Sequence, residues 1–158
     1  MHSLIKKILA VLLIALVAIQ FFPPAKNVST AGPGPNDITV LYPTPPAVKA
    51  LLAESCYDCH SDHTRYPWYT RIQPVGWWMQ RHVNEGIAEL NFSQFGTYPP
   101  KRAAKKMNET IKETKDREMP LKSYLLVHGE AKLTEAQNQE LVNWADGIRA
   151  RIPTPAAP

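Results

Sequence analysis

The 158-residue chain carries 18 Lys and Arg side chains against 14 Asp and Glu, a formal net charge of +4, and it has two cysteines. This small positive excess includes no basic patch interleaved with aromatic residues, which argues against a nucleic-acid partner. Two cysteines cannot form the disulfide framework of a small secreted domain. The length supports one domain with one core but not two.

The first segment of the chain combines a positive end with a long apolar run. Lys6 and Lys7 precede residues 8–22, an apolar stretch that only Gln20 interrupts. This order is that of a secretory signal, and the length is near the roughly 20 residues that span a bilayer. Because no clear Ala-x-Ala cleavage site follows, residues 1–22 are predicted to be an uncleaved anchor rather than a removed signal peptide. With the lysines in the cytoplasm, the rest of the chain would lie on the periplasmic side of a bacterial cytoplasmic membrane, as a single-pass protein.

Proline and glycine are frequent in residues 23–43, which follow the apolar run. Proline disfavours helix and biases the chain toward extended polyproline II. The composition predicts a semi-rigid tether that could reach on the order of 60 Å. The alternative is a coil that lies across a partner protein.

Residues 44–152 show helical apolar spacing and no strong period-2 run, which predicts a small all-α domain. Thr44 is placed to cap its first helix. Thr134 and Gln137 are spaced as a capping box for the final helix, which Pro153 ends. The other predicted segments are the remainder of the first helix as far as Cys56, helices at 75–90 and 101–115, and a tail at 153–158.

Both cysteines of the chain lie in one short motif, Cys-x-x-Cys-His, formed by Cys56, Cys59 and His60. A thioredoxin-like redox pair would be expected beside a βαβ pattern, and a zinc site would need further ligands. A small disulfide is a third reading. On a helix the two sulfurs would lie one turn apart on one face, which suits the two vinyl groups on one edge of a porphyrin. The motif therefore predicts one covalent haem c with His60 as an iron ligand, and export agrees with this reading.

A second axial iron ligand is best supplied by Met119, which is followed directly by Pro120 in a segment between two predicted helices. A thioether in this position stabilises reduced iron and raises its potential. Ordinary apolar packing is the other reading of a methionine. His82 is the second candidate. Met79 and Met107 are predicted to pack in the core, His63 is too close to His60 in the chain to reach the opposite face, and His128 is predicted near the surface.

Aromatic and basic side chains between the motif and the middle of the domain could contact the cofactor. Arg65, Arg71, Tyr69 or an indole N–H such as that of Trp77 could donate a hydrogen bond to a haem propionate. The simpler reading is a hydrophobic wall around an apolar cofactor. The cluster Lys101, Arg102, Lys105 and Lys106 is predicted to be a solvated helix face, with a docking patch for an acidic partner as the alternative.

The order of helix, Cys-x-x-Cys-His, Met-Pro and capped final helix resembles the class I cytochromes c. More closely, "ESCYDCHSDHTRYPWYTRIQPVGWW", "AELNFSQF" and "EMPLKSYLLVHGEAKLT" are similar to the bacterial haem-binding domain family. The resemblance implies that the first and last helices of the domain cross beside the haem and that Met119 is the sixth ligand. It also implies that a proline carbonyl, that of Pro74 or less favourably Pro67, accepts from the proximal His60 N–H.

Two function classes follow from these predictions. The first is an electron carrier, not itself an enzyme, that transfers single electrons at the outer face of the cytoplasmic membrane. It would exchange electrons with redox proteins, or act as a subunit of a respiratory or photosynthetic complex. The second is a haem-based sensor or peroxidase-like enzyme with an open sixth iron site, for which His82 with Glu85 would be the distal pair.

Overall fold

The computed structural model describes residues 1–153, and within that range it is helical, with no β-strand beyond an isolated bridge between Val28 and His63. The predicted all-α class is confirmed. Most of the predicted tail, 153–158, lies outside the described residues. The helices are α1 His2–Ile19, α2 Ile38–Leu41, α3 Pro46–Ser55, α4 Tyr57–His60, α5 Val75–Glu89, α6 Pro100–Lys115, α7 Lys122–Leu125 and α8 Glu135–Arg151, with 3₁₀ segments at Trp68–Arg71, Phe92–Thr97 and Gly129–Ala131.

Helix α1 stands apart from the domain core in composition and exposure. Its 18 residues have a mean hydropathy of 2.2, and none of them is buried within the protein. By length and composition this helix could cross a membrane.

The core of the domain lies between α3, α6 and α8. Leu52 of α3, Met107 of α6 and Leu141 of α8 are almost fully buried in one apolar cluster. The buried Asn138 on α8 donates from Nδ2 to the carbonyl of Thr114 at 2.7 Å, which ties α8 to the end of α6. This core fixes the positions of α3, which precedes the cysteine motif, and α6, which precedes the Met-Pro segment.

The predicted cap of the last helix is confirmed, whereas the predicted cap of the first helix of the domain is wrong. The capping box is confirmed, because Thr134 Oγ1 accepts from the Gln137 N–H and Gln137 Oε1 accepts from the Thr134 N–H. Thr44 does not cap α3, whose N-cap is Pro45. Its hydroxyl instead donates to the carbonyl of Tyr42 at 3.0 Å and accepts from the indole N–H of Trp144 at 3.2 Å.

The Pro-rich segment 23–43 packs on the domain and does not extend away from it as a free spacer. Asn27 donates from its backbone N–H to the Tyr66 hydroxyl and from Nδ2 to the carbonyl of Ser61, each at 2.8 Å. Further along, Ile38 is fully buried in the core. Proline removes backbone donors from this segment, but its asparagine side chains, its remaining amides and its apolar residues find partners on the domain.

Candidate functional site

A cleft lies between the cysteine motif and the segment that follows α6. It consists of two adjoining cavities of about 320 Å³ each, and Cys56, His60, Glu89 and Met119 line both. Each cavity falls within the size range of small-molecule sites. The other lining residues include Ser55, Asp58, Cys59, His82, Glu85, Gly86, Pro120, Leu121 and Tyr124 on one side and Leu52, Leu90, Phe92, Lys106, Glu109, Thr110, Glu113, Thr114 and Leu141 on the other.

The short helix α4 holds the cysteine motif in a single turn. Helix α3 ends at Ser55, one residue before the predicted end at Cys56, which is its C-cap. Cys56 has φ −128° and ψ −42°, so the motif forms a separate turn. The N–H of His60 still donates to the carbonyl of Cys56 at 2.9 Å, as an α-helical turn requires. The two cysteines therefore remain one helical turn apart on a wall of the cleft.

His60 is held in one orientation by the C-terminal end of α5. Its Nδ1 lies 3.0 Å from the carbonyl oxygen of Gly86 and 3.0 Å from that of Leu90. Because both partners are acceptors, Nδ1 carries the proton and Nε2 keeps the lone pair that can bind a metal. Burial lowers the pKa of His60, which favours the neutral imidazole.

The carbonyl partner that was predicted for His60 is different in the structure. The carbonyl of Pro74 accepts from the backbone N–H of Trp78 at 3.1 Å, at the start of α5. The imidazole Nδ1 is instead hydrogen-bonded to the carbonyls of Gly86 and Leu90, at the other end of α5. The Gly86 carbonyl also accepts from the Leu90 N–H at 2.9 Å, and Leu90 is the C-cap of α5. Both carbonyls therefore lie at the negative end of the helix dipole.

Gly86 allows α5 to approach the cysteine motif closely. A Cβ at this position would lie 2.4 Å from the carbonyl oxygen of Cys59 and 3.0 Å from its Cβ. The sequence analysis did not single out Gly86, although an isolated glycine inside a helical pattern is a signal of close packing. Its absent side chain is what permits the bond from His60 to α5.

The two thiols are half-buried, and their surroundings favour the neutral thiol over the thiolate. Burial raises the pKa of Cys56 to about 12, with a further contribution from Cys59. Burial also raises the pKa of Cys59 to about 11, with a contribution from Asp58. Both cysteines are free, and reactive dithiols require lowered pKa values. Within residues 1–153 no group of three or more His, Cys, Asp and Glu side chains is arranged to hold a metal ion.

Met119 reaches the cleft through a turn that ends α6. Arg117 adopts a left-handed conformation with φ 58°, and the N–H of Glu118 donates to the carbonyl of Glu113 at 3.0 Å. Together with the bond from the Arg117 N–H to the carbonyl of Thr114, this is a Schellman motif. It reverses the chain so that Met119, which is 37% exposed, lines both cavities.

The other candidate iron ligands lie in different parts of the domain. His82 lines the rim of the cleft, and its Nδ1 lies 2.8 Å from the carbonyl of Trp78. His128 bonds to the Tyr69 hydroxyl at 2.6 Å and to Glu130, and Met107 is fully buried in the core. The structure thus brings Met119 and His82 to the cleft.

Three of the four side chains predicted to contact propionates have other partners, and the fourth, Arg71, is exposed. Arg65 donates to the Asp58 carboxylate, and the Tyr69 hydroxyl bonds to His128. The indole N–H of Trp77 donates to the carbonyl of Phe22 at 2.7 Å. The aromatic side chain of Trp77 is 38% exposed and therefore does not form part of an enclosed hydrophobic wall.

Asp58 and Lys106 are two charged residues of the cleft whose roles the sequence analysis missed. Asp58 is buried between the two cysteines and accepts from Arg65 and from the Tyr124 hydroxyl. The sequence feature that could have indicated its role is a carboxylate placed between the two cysteines of the motif. Lys106 was predicted to be solvated, yet it is 8% exposed and donates to Glu89 at 2.9 Å and to Glu109 at 2.7 Å. It lies on the same helical face as the core residues of α6, which is the signal for its burial.

The donor set of the cleft fits a haem. Two cysteines one turn apart, a histidine with its Nε2 lone pair available and a methionine all line the same largely apolar space. The fold and the site thus define an all-α haem-protein domain.

A family model described as a haem-binding domain matches residues 14–147, and the chain belongs to this family. The resemblance in sequence is confirmed by this match. No curated protein and no solved structure matches the chain.

Proposed function

We propose that this haem protein is a monohaem c-type cytochrome that transfers single electrons. The observation that carries the proposal is that His60 and Met119 both line the cleft whose wall holds Cys56 and Cys59. In this proposal the two cysteines would each supply a thioether sulfur, and His60 and Met119 would bind the iron. Such a haem supplies a one-electron iron couple whose potential a methionine ligand raises.

The residues of the chain would keep the site unchanged between oxidation states. The two carbonyls on Nδ1 prevent the His60 imidazole from rotating and raise its basicity as a ligand. Leu52, Phe92 and Leu141 exclude water from one side of the cleft. A site that does not rearrange suits outer-sphere transfer to a redox partner, and in this role the protein is an electron carrier rather than an enzyme.

We further propose that α1 remains attached and anchors the domain to the cytoplasmic membrane, with the domain on the periplasmic side. The backbone of Gln73 pairs with the Gln20 side chain in both directions, at 2.9 and 3.1 Å. The family match also begins at residue 14, inside the apolar helix. Both observations support a segment that stays with the domain. The partners would be redox proteins in or near the same membrane, including a respiratory or photosynthetic complex of which this chain is a subunit.

A second candidate function is a haem-based sensor or peroxidase-like enzyme. His82 and Glu85 both line the cleft, so a side chain capable of acid–base chemistry lies close to the site. Glu85 is paired with Arg81 at 2.7 Å, which favours its carboxylate form. This function needs a sixth iron position that Met119 leaves open.

The test is a spectrum and a mass of the full chain, purified from membranes of cells that attach haem c. We expect the mass of one haem to stay with the denatured chain after acidic solvent extraction, and the Cys56→Ser and Cys59→Ser variants to lose one or both links. We also expect a low-spin spectrum with a sulfur-to-iron band in the oxidised protein and no rapid binding of carbon monoxide. A chain without added haem would contradict the proposal, and a high-spin spectrum that responds at once to carbon monoxide would favour the second candidate.

A further inference from the structure

A short stretch of the domain exposes several large apolar side chains. Trp68 is 73% exposed, and Ile72, Val75, Trp77 and Trp78 are between 38% and 48% exposed. These five residues, here called the aromatic patch, lie in the 3₁₀ segment before α5, at its C-cap Ile72 and in the first turn of α5. Single exposed apolar residues are common, but a group containing three tryptophans indicates an interaction surface.

The aromatic patch is attached to the end of the apolar helix α1. Gln20, which follows α1 directly, accepts from the Gln73 N–H and donates to its carbonyl. The carbonyl of Phe22 accepts from the indole of Trp77 at 2.7 Å. The exposed side chain of Phe22 therefore continues the apolar surface of α1 toward the patch.

Two of the arginines near the aromatic patch are paired with carboxylates, Arg65 with Asp58 and Arg81 with Glu85. Between Asp62 and Glu85 the chain contains three arginines and no carboxylate. Tryptophan is enriched at membrane–water interfaces, where its ring is apolar and its N–H is polar. Arg71, which ends the 3₁₀ segment of the patch, is exposed. An arginine close to such a surface is attracted to anionic lipid headgroups.

We propose that the aromatic patch lies in the interface of a phospholipid bilayer, beside the point where α1 leaves the membrane. The inference rests on the proposed membrane anchor and adds an orientation to it. A flexible tether would let the domain rotate freely, whereas a second contact with the membrane fixes which face points to the lipid.

This contact also determines where the haem cleft lies. Helix α5 begins in the aromatic patch at Val75, and its later residues Glu85, Gly86 and Glu89 line the cleft. The 11 residue steps from Val75 to Gly86 correspond to about 16 Å of helix. The cleft is therefore held within a short distance of the bilayer, where a membrane-embedded redox partner could reach it.

The experiment uses the full holoprotein in nanodiscs of phosphatidylethanolamine and phosphatidylglycerol that contain a phospholipid with a photoreactive diazirine on its acyl chain. After illumination, tryptic peptides are mapped by mass spectrometry. The aromatic patch falls on peptides 66–71 and 72–81, α1 on peptide 8–26, and the buried Trp144 on the control peptide 133–149. We expect label on the first three peptides and none on the control.

The outcomes separate this inference from the anchor. Label on 8–26 without label on 66–81 would overturn the inference and leave the anchor intact; the aromatic patch would then be open to solvent or to a protein partner. Label on 66–81 without label on 8–26 would support the membrane contact and contradict the anchor. Label on neither would overturn both.

A double variant tests whether the exposed side chains cause the contact. Trp68→Ser with Ile72→Ser leaves the bond from Trp77 to Phe22 in place, and the unchanged haem spectrum reports that the domain is folded. We expect loss of label on 66–81 with undiminished label on 8–26. Val40→Ser, which removes an apolar side chain 57% exposed on α2, is the matched control and is expected to change nothing. Equal labelling in the double variant and the wild type would overturn the inference.

Discussion

The phenolic hydroxyl of Tyr124 donates to Oδ2 of Asp58 at 2.7 Å, although 66 residues separate the two in the chain. Asp58 lies inside the cysteine motif, and Tyr124 follows Met119 by five residues. The bond therefore joins the wall that carries His60 to the segment that carries Met119. It is a direct means of holding the two proposed iron ligands at one cleft.

Removing the hydroxyl of Tyr124 should loosen the methionine segment. A hydrogen bond to a charged group contributes about 1.5–3 kcal/mol. We expect Tyr124→Phe to keep its covalent haem and to lose the sulfur-to-iron band at a lower guanidinium concentration and a lower temperature than the wild type. Optical titration of the band in the oxidised protein measures the shift.

Tyr42→Phe is the control for this prediction, because Tyr42 packs edge-on against Phe95 in the core and does not contact the Asp58 carboxylate. A midpoint for loss of the band that is the same in Tyr124→Phe and in the wild type would show that the bond to Asp58 does not hold Met119 in place.

Gly86→Ala should separate α5 from the cysteine motif. The added Cβ would lie 2.4 Å from the carbonyl oxygen of Cys59, which is backbone and can move only with α4. Overpacking of this kind costs about 1–3 kcal/mol. We expect a lower free energy of unfolding in urea and a reduced yield of haem-loaded protein, because the bond from His60 to the Gly86 carbonyl lengthens.

Gly147→Ala provides the matched comparison for the change at Gly86. Gly147 also lies inside a helix, α8, and a Cβ there meets nothing within 4 Å. Alanine in an open helix position is favoured over glycine by about 0.5–1 kcal/mol, so this variant should be slightly more stable. Equal effects of the two substitutions would contradict the close-approach role of Gly86.

The parts of the site that the sequence predicted are those fixed by local chemistry. The adjacency of Cys56, Cys59 and His60 restricts their geometry to a single turn, and the Thr134 capping box is a short-range pattern. The position of Met119 in the cleft agrees with its place after a helix and before a proline.

The missed features depend on contacts between segments that are far apart in the chain. Nothing near His60 indicates that its partners are the carbonyls of Gly86 and Leu90, because backbone acceptors carry no sequence signature. The packing of Asn27 against Ser61 likewise overrides the extended preference of a Pro-rich segment. Composition predicts the conformation that a segment prefers in isolation, whereas tertiary contacts determine the conformation that it adopts in the domain.

The ion pairs of Lys106 should give the stability of the protein a component that depends on pH. Hydrogen bonding to Lys106 lowers the pKa of Glu109 and of Glu89 below the usual carboxyl range. A lowered folded-state pKa contributes stability that is complete above the unfolded-state pKa and is lost as the pH falls through the folded-state value. We expect Lys106→Met to reduce the free energy of unfolding at pH 7, by more than the loss of an exposed ion pair would. Urea titrations should show this difference unchanged down to about pH 5 and shrinking toward pH 3.

Lys105→Met is the control for the Lys106 prediction. Lys105 pairs with the same Glu109 at 3.4 Å, but its side chain is 70% exposed. An exposed pair of this kind contributes about 0–1 kcal/mol. A loss of stability in Lys105→Met as large as that in Lys106→Met would show that the burial of Lys106 does not increase the contribution of its ion pairs to stability.

Replacing Met119 tests the proposed sixth ligand directly. Met119→Ala removes the thioether from the cleft, so we expect the sulfur-to-iron band to disappear and the reduction potential to fall, because the sulfur ligand stabilises reduced iron. Met79→Ala on α5 removes a half-buried thioether from the same domain and should keep both the band and the potential. Optical spectroelectrochemistry of the two variants measures both quantities. A band that persists in Met119→Ala would exclude this ligand. A band-free, low-spin wild-type spectrum that becomes high-spin in His82→Ala would assign the sixth position to the other ligand candidate that lines the cleft.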